Sequence, residues 1–108
     1  MDVAKDLATI TSRVLSSLGE PTMQALYWEL STQGVTANPE EFDISKFDEG
    51  MRKIFGDGAN VFMDEIYSQF KQHVEKQYPD GDKMFAEIDE NFPAIMKIQR
   101  VLSLKVTT

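Results

Sequence analysis

The sequence predicts an all-α fold, a compact orthogonal or bundle-like domain of about five helices that takes in residues 1–108 as a single unit. Three observations predict it. Apolar residues recur every three or four positions along most of the chain, which gathers them into one stripe of a helix. Steps containing glycine or proline separate these runs, and strand-like alternation persists nowhere outside the β-branched tail.

The first helix is announced by Val3, Leu7, Ile10, Val14 and Leu18, whose steps of four, three, four and four resemble a heptad seam. Gly19 is expected to close it in the left-handed conformation of a helix C-cap, and Glu20-Pro21 to open the next. In this second helix Met23, Leu26, Tyr27 and Leu30 share a face, and Gly34 stops it before the loop Thr36-Ala37-Asn38-Pro39. A third begins between Asp43 and Ser45. There Ser45 and Asp48 form a capping-box-like pair, Ile44, Phe47, Met51, Ile54 and Phe55 supply an apolar face, and Arg52 and Lys53 favour the C-terminal end.

Gly56-Asp57-Gly58 closes the third helix and launches the fourth, in which Ala59, Phe62, Met63, Ile66, Phe70 and Val74 recur at helical spacing. Glu65, Gln69, Gln72 and Lys76 lie opposite them and should face water. The segment Tyr78-Pro79-Asp80-Gly81-Asp82 is a turn by composition. Phe85, Ile88 and Phe92 then continue a helix that Pro93 must kink or restart, and Ile95, Ile98, Val101 and Leu102 carry its last stretch. The expected core is Leu26, Leu30, Phe47, Ile54, Phe62, Ile66 and Phe70.

Composition removes whole classes of chemistry. The chain has no cysteine, which excludes disulfides, thiolate metal sites and cysteine nucleophiles together. Its single histidine, His73, makes a triad or a facial metal site implausible, and its i−4 and i+4 neighbours Gln69 and Gln77 are poor zinc ligands. A formal charge of −7, from 11 basic and 18 acidic residues, repels a phosphate backbone, so no nucleic acid is expected as a partner. Apolar runs are short and the start Met-Asp-Val-Ala-Lys-Asp lacks the basic, then greasy, pattern of an export signal, so a cytoplasmic protein with no membrane attachment is expected.

The remaining motifs carry little chemistry. Gly56-Asp57-Gly58-Ala59 at a helix start offers backbone N–H groups to a phosphate, but no strand precedes it and no Lys-Ser or Lys-Thr pair follows. Of the acids between Asp80 and Glu90, an EF-hand loop counted from Asp80 would need glycine at Phe85 and glutamate at Asn91. These acids read as solvated faces and helix N-terminal charge, so no metal or cofactor is expected. Without a nucleophile–base pair, the chain is read as not an enzyme.

Two features point towards a partner. Trp28 lies about 140° around its helix from Met23, away from the apolar stripe, where it is either covered by a second layer or anchors an interface. After Glu90 no acid occurs, while Lys97, Arg100 and Lys105 do. This basic amphipathic end invites docking onto the acidic body of another subunit, or folding back onto its own acidic loops. The expected interface residues are Trp28, Val3 and Leu7 of the first helix, and Ile98, Val101 and Leu102 of the last, in a homodimer or against another protein partner.

The segments Leu18-Gly19-Glu20-Pro21, Ala25-Leu26-Tyr27-Trp28, Phe42 and Phe47, Ile54-Phe55-Gly56-Asp57-Gly58-Ala59 and Glu65-Ile66 together resemble the fifth class of Nitrosopumilus output domain, a small helical domain of ammonia-oxidising archaea. The resemblance covers Leu18 to Val74, about half the chain, and implies a domain of unknown biochemical activity acting downstream of signal receivers. A second similarity, of the Leu-Gly-Glu-Pro-Thr step and a following Gly-Val turn, is to the opening of winged-helix repressors. The functional expectation is a non-enzymatic helical protein–protein interaction module, possible signalling output included. The alternatives are a DNA-binding regulator of winged-helix type, and a helical sensor whose Met- and Phe-rich interior opens around an apolar ligand.

Overall fold

The computed structural model describes residues 3–36 and 38–106, with side chains through residue 103. The described residues form five α-helices and no strand: α1 (Val3–Ser16), α2 (Glu20–Thr32), α3 (Ile44–Phe55), α4 (Ala59–Gln77) and α5 (Ala94–Val106). Single 3₁₀ turns, Gly56–Gly58 and Gly81–Phe85, stand on either side of α4. The all-α expectation holds.

One core runs through all five helices, with α4 at its centre, packed against α1, α3 and α5. The stripe read in the first helix is the buried face of α1: Val3, Leu7, Ile10 and Val14 are all enclosed, and Leu18 packs partly buried beside them. Met63, Ile66, Phe70 and Val74 answer from α4, and Ile98 and Val101 from α5. Each fully enclosed side chain of this size stabilises the fold by about 1.5–3 kcal/mol relative to exposure. Thr11, the buried hydroxyl of α1, donates to the Leu7 carbonyl at 2.9 Å and so is itself satisfied.

Side-chain hydrogen bonds tie neighbouring helices together. Tyr27 of α2 donates to the Ser12 hydroxyl of α1 at 3.0 Å. At the opposite end of α1, Asp6 accepts the Tyr78 hydroxyl at 3.2 Å and lies 3.1 Å from Nε2 of His73, which joins the start of α1 to the end of α4. His73 therefore stands beside a carboxylate. Arg52 bridges α3 and α4, binding Asp48 at 3.1 Å and the Asn60 side-chain oxygen at 2.8 Å.

Helix ends show where local chemistry departs from expectation. Gly34 closes α2 at φ 82°, with Gly34 N–H bonded to Ser31 O at 3.1 Å and Val35 N–H to Leu30 O at 3.0 Å. This pair of bonds is a Schellman cap, which needs the positive φ that glycine tolerates. Its apolar contact residues, Val35 and Leu30, press on α3 at Gly50, where an added Cβ would stand 2.8 Å from Leu30 Cδ2 and 3.2 Å from Val35 Cγ2.

Four expectations are corrected. Gly19 (φ 90°, ψ 151°) is not a left-handed C-cap of α1; it is the N-cap of α2, its carbonyl taking the first bond from Met23 N–H. The cap of α3 is Asp43, whose carboxylate accepts from the Ser45 and Lys46 N–H groups, in place of the Ser45–Asp48 box. Asp43 sits one residue before the helix with extended backbone, where a side-chain acceptor reaches the second and third N–H groups. No α-helix runs through Phe85, Ile88 and Phe92: after the 3₁₀ turn the chain makes a series of i→i−3 bonds and helix resumes only at Ala94. Ile54 and Phe62, placed in the core, are only half buried, because the α3–α4 corner where they meet has no element over it.

Candidate functional site

The stretch between α4 and α5 builds a grooved, partly apolar surface. Gly81 N–H bonds to Tyr78 O at 3.0 Å and starts the 3₁₀ turn that delivers Phe85 to the core. The Phe85 ring meets Tyr67 edge-on at 6.0 Å and Phe70 at 6.4 Å, geometries that aromatic quadrupoles favour. Beyond it, Asp89 turns the chain back by accepting Asn91 N–H at 2.9 Å with its carboxylate and Phe92 N–H at 3.0 Å with its carbonyl. The Pro93 carbonyl then receives Met96 N–H at 3.0 Å and Lys97 N–H at 3.2 Å, so α5 starts where proline costs it nothing.

Lys97 fastens this return. Its ammonium, with a side chain only 10% exposed, donates to the Glu90 carbonyl at 3.3 Å and carboxylate at 3.4 Å, and lies 4.4 Å from the Tyr67 ring centroid. Lys71 approaches the same carboxylate at 3.8 Å. A buried lysine is tolerated here because a carbonyl, a carboxylate and an aromatic face replace its water. Burial pushes the pKa of the Tyr67 phenol above its ordinary value, with the negative charges of Glu90 and Glu75 adding to it. Its hydroxyl has no hydrogen-bond partner among the described residues.

This phenol makes stability depend on alkaline pH. The folded state holds its proton more tightly than the unfolded chain, so its contribution is complete below the ordinary phenol value of 10.0 and is lost as pH rises beyond that. Urea unfolding of Tyr67→Phe is expected to show a shallower loss of stability above pH 10 than the parent, and at neutral pH to be no less stable, since a buried unpaired hydroxyl is removed. Equal alkaline slopes in the two proteins would contradict the assignment.

On the outer side of this return lies a groove of about 310 Å³, lined by Glu87, Ile88, Phe92, Met96, Gln99 and Arg100. Phe92 and Met96 are each 47% exposed. Ile88, Phe92 and Met96 supply its apolar lining, and Glu87, Gln99 and Arg100 add an acid, an amide and a guanidinium. The Gln99 amide donates to the Ser45 hydroxyl and ties this wall to the start of α3.

The residues expected at an interface fare unequally. Trp28 stands out from α2 at 67% exposure, so no second layer covers it. Val3, Leu7, Ile98 and Val101 are corrected: each is at most 3% exposed and packed in the core, because α1 and α5 bury their apolar stripes against α4 and each other within one chain. Leu102 packs half buried on the same core. The available face of α5 is the opposite one, Met96, Gln99, Arg100 and Ser103. Of the basic end, Lys97 folds back on Glu90, Arg100 is exposed on the groove, and the Lys105 side chain lies outside the described residues.

A further apolar cluster stands at the α3–α4 corner, where Phe55 (41% exposed) stacks on Phe62 at 5.2 Å beside Val61. Sequence periodicity assigned Phe62 to the core and had no signal that the corner was uncovered. Among the described residues no group of three or more acidic or histidine side chains is placed to hold a metal ion. None of the described helices is long and apolar enough to cross a membrane. A winged helix needs a β-hairpin, and no described residue lies in a strand; on α3, Phe47 is buried and Asp48 is bound to Arg52. Comparison with protein-family models, curated proteins and solved structures finds no match to the chain.

Proposed function

We propose that this protein is a helical protein–protein interaction module whose working surface is the groove at the start of α5. One observation carries the reading: Phe92 and Met96 are half exposed in a concavity that Ile88 also lines, together with an acid, an amide and a guanidinium. An apolar centre surrounded by polar groups of both signs is the composition of a protein interface, with the large side chains supplying affinity and the rim supplying orientation. The mechanism is docking without chemistry, in which a partner's apolar side chain enters between Phe92 and Met96. A signalling output role, as the resemblance over Leu18–Val74 implies, would use such a surface, although the groove lies C-terminal to that stretch.

The test separates binding from folding. A photo-crosslinking residue at position 92 is expected to give a discrete protein adduct in cells, and Met96→Glu to abolish it. Met96→Glu should change stability by no more than about 0.5 kcal/mol, because the side chain is a surface one. No adduct, or an adduct indifferent to Met96→Glu in a protein of unchanged melting temperature, would overturn the proposal.

A further inference from the structure

Between Phe85 and Ala94 little holds the chain in place. From Ala86 to Phe92 only Ile88 is even partly buried, and the backbone bonds are local: Ile88 N–H to Phe85 O at 3.2 Å and Phe92 N–H to Asp89 O at 3.0 Å. Among the described residues, every hydrogen bond or ion pair that joins residues 86–92 to an α-helix ends on Glu90. Yet Glu87, Ile88 and Phe92 of this stretch supply half of the groove lining. The two lysines that reach Glu90 are not equivalent. Lys71 of α4, its side chain 36% exposed, stands 3.8 Å from the carboxylate, beyond hydrogen-bond reach, where water and salt screen it. Lys97 of α5 is nearly enclosed and donates both to the carboxylate and to the Glu90 backbone carbonyl, with the Tyr67 ring centroid 4.4 Å away. Phe85 meets the same ring edge-on, so Tyr67 serves both ends of the stretch, Phe85 directly and Glu90 through the lysine.

We infer that Lys97 is the positioning residue of the groove: a latch on the main chain at Glu90 that keeps Ile88 and Phe92 in place beside Met96 without lining the groove itself. This rests on the reading of the groove as a protein-docking surface and says what controls it. The bond to the carbonyl grips the backbone, so it holds whatever the side chain at position 90 does. With the latch released, one partly buried side chain and a few local turns are left to order residues 86–92, too little to offset their conformational entropy. The five helices keep their shared core, because none of residues 86–92 is buried in it. The groove is therefore lost by local opening and not by unfolding, and the docking surface is separable from the fold that carries it.

Three substitutions in the full chain rank the contacts. Lys97→Met keeps most of the side-chain stem and removes both bonds, Glu90→Gln removes the charge and leaves the carbonyl bond, and Lys71→Met removes only the long pair. Amide hydrogen exchange is expected to quicken at Ile88 and Phe92 by about tenfold or more in Lys97→Met, as loss of a charge-assisted hydrogen bond does to a local opening. The effect should be smaller in Glu90→Gln and absent in Lys71→Met, with the amides of α2 and α3 at the parent's rates in all three. A lowered melting temperature could follow from a substitution anywhere in the core; this selective loosening and its order could not. With the photo-crosslinking residue at position 92, Lys97→Met should lose the adduct that Lys71→Met keeps. Unchanged exchange at Ile88 and Phe92 in Lys97→Met, equal effects of the two lysines, or loosening spread evenly into α2 and α3 would each overturn the inference. So would an adduct that survives the loosening. Should Lys97→Met not fold, the excess of Glu90→Gln over Lys71→Met decides, since the Glu90 side chain is exposed. If the parent gives no adduct while exchange follows the expected order, the docking reading fails and the latch stands.

Discussion

Phe70→Ala is expected to lower the free energy of unfolding by about 3–5 kcal/mol, the range for deleting an enclosed phenylalanine. Phe70 has no exposed surface, and it lies where α4 meets the 3₁₀ turn, its ring edge-on to Phe85 at 6.4 Å. Deleting it leaves a void bounded by helix backbones that cannot all move inward, so the lost transfer energy is joined by a cavity cost. For a domain whose total stability is about 5–15 kcal/mol, the variant loses a large share, and its melting temperature should fall by roughly 12 °C or more. Phe70→Leu keeps most of the volume and should cost under about 1.5 kcal/mol. Urea denaturation with an unchanged m-value measures both; a Phe70→Ala loss below 1 kcal/mol would remove Phe70 from the core.

Gly81→Ala is expected to cost about 3 kcal/mol although it adds one methyl group. A Cβ at this buried position would stand 2.2 Å from the Val74 carbonyl oxygen, 2.7 Å from its carbon and 2.8 Å from Glu75 Cα. All three are backbone atoms of the last turns of α4, so relief requires the 3₁₀ turn to lift off the helix and carry Phe85 with it. Gly50→Ala is the contrast, since its nearest contact is the end of the Leu30 side chain, which can rotate, and helix propensity favours alanine by about 1 kcal/mol. Thermal melts of the two variants should therefore separate widely. Equal melting temperatures would mean that the turn is not seated on α4.

Phe70 was legible as core from its helical spacing, whereas the Gly81 effect lies where the sequence was least legible. The α1 stripe was readable because five apolar residues over sixteen positions leave only a helix face to occupy, and Val3, Leu7, Ile10 and Val14 are buried as that spacing requires. Phe85, Ile88 and Phe92 have helical spacing too, but three residues at steps of three and four fit a run of i→i−3 turns equally well. Asp89 decides the matter: its carboxylate captures the Asn91 N–H, competing with the helical ladder just before Pro93 forbids it. Gly81 is conspicuous only once α4 is seen pressing on it.

The interface residues illustrate a different limit. An amphipathic stripe records that something covers it and not what, so Val3, Leu7, Ile98 and Val101 looked available until α4 was seen to cover them. Trp28 was legible only in part: its angular offset from Met23 and Leu26 places it off the main stripe, while whether a second layer covers it was decided by the fold, which leaves it 67% exposed. The groove could not be read at all, because Ile88, Phe92 and Met96 converge through a turn whose geometry depends on Lys97 reaching back to Glu90.

This last contact bears on how tightly the surface can bind. A segment of turns such as 86–93 would ordinarily sample many shapes and have to surrender them when a guest arrives. Clipped at Glu90 by two ammonium groups and packed at Phe85 against the rings of Tyr67 and Phe70, it is already fixed in the receptive shape when the chain has folded. A weak, quickly reversible visitor can then be recognised by a preset ledge, with no rearrangement slowing its arrival.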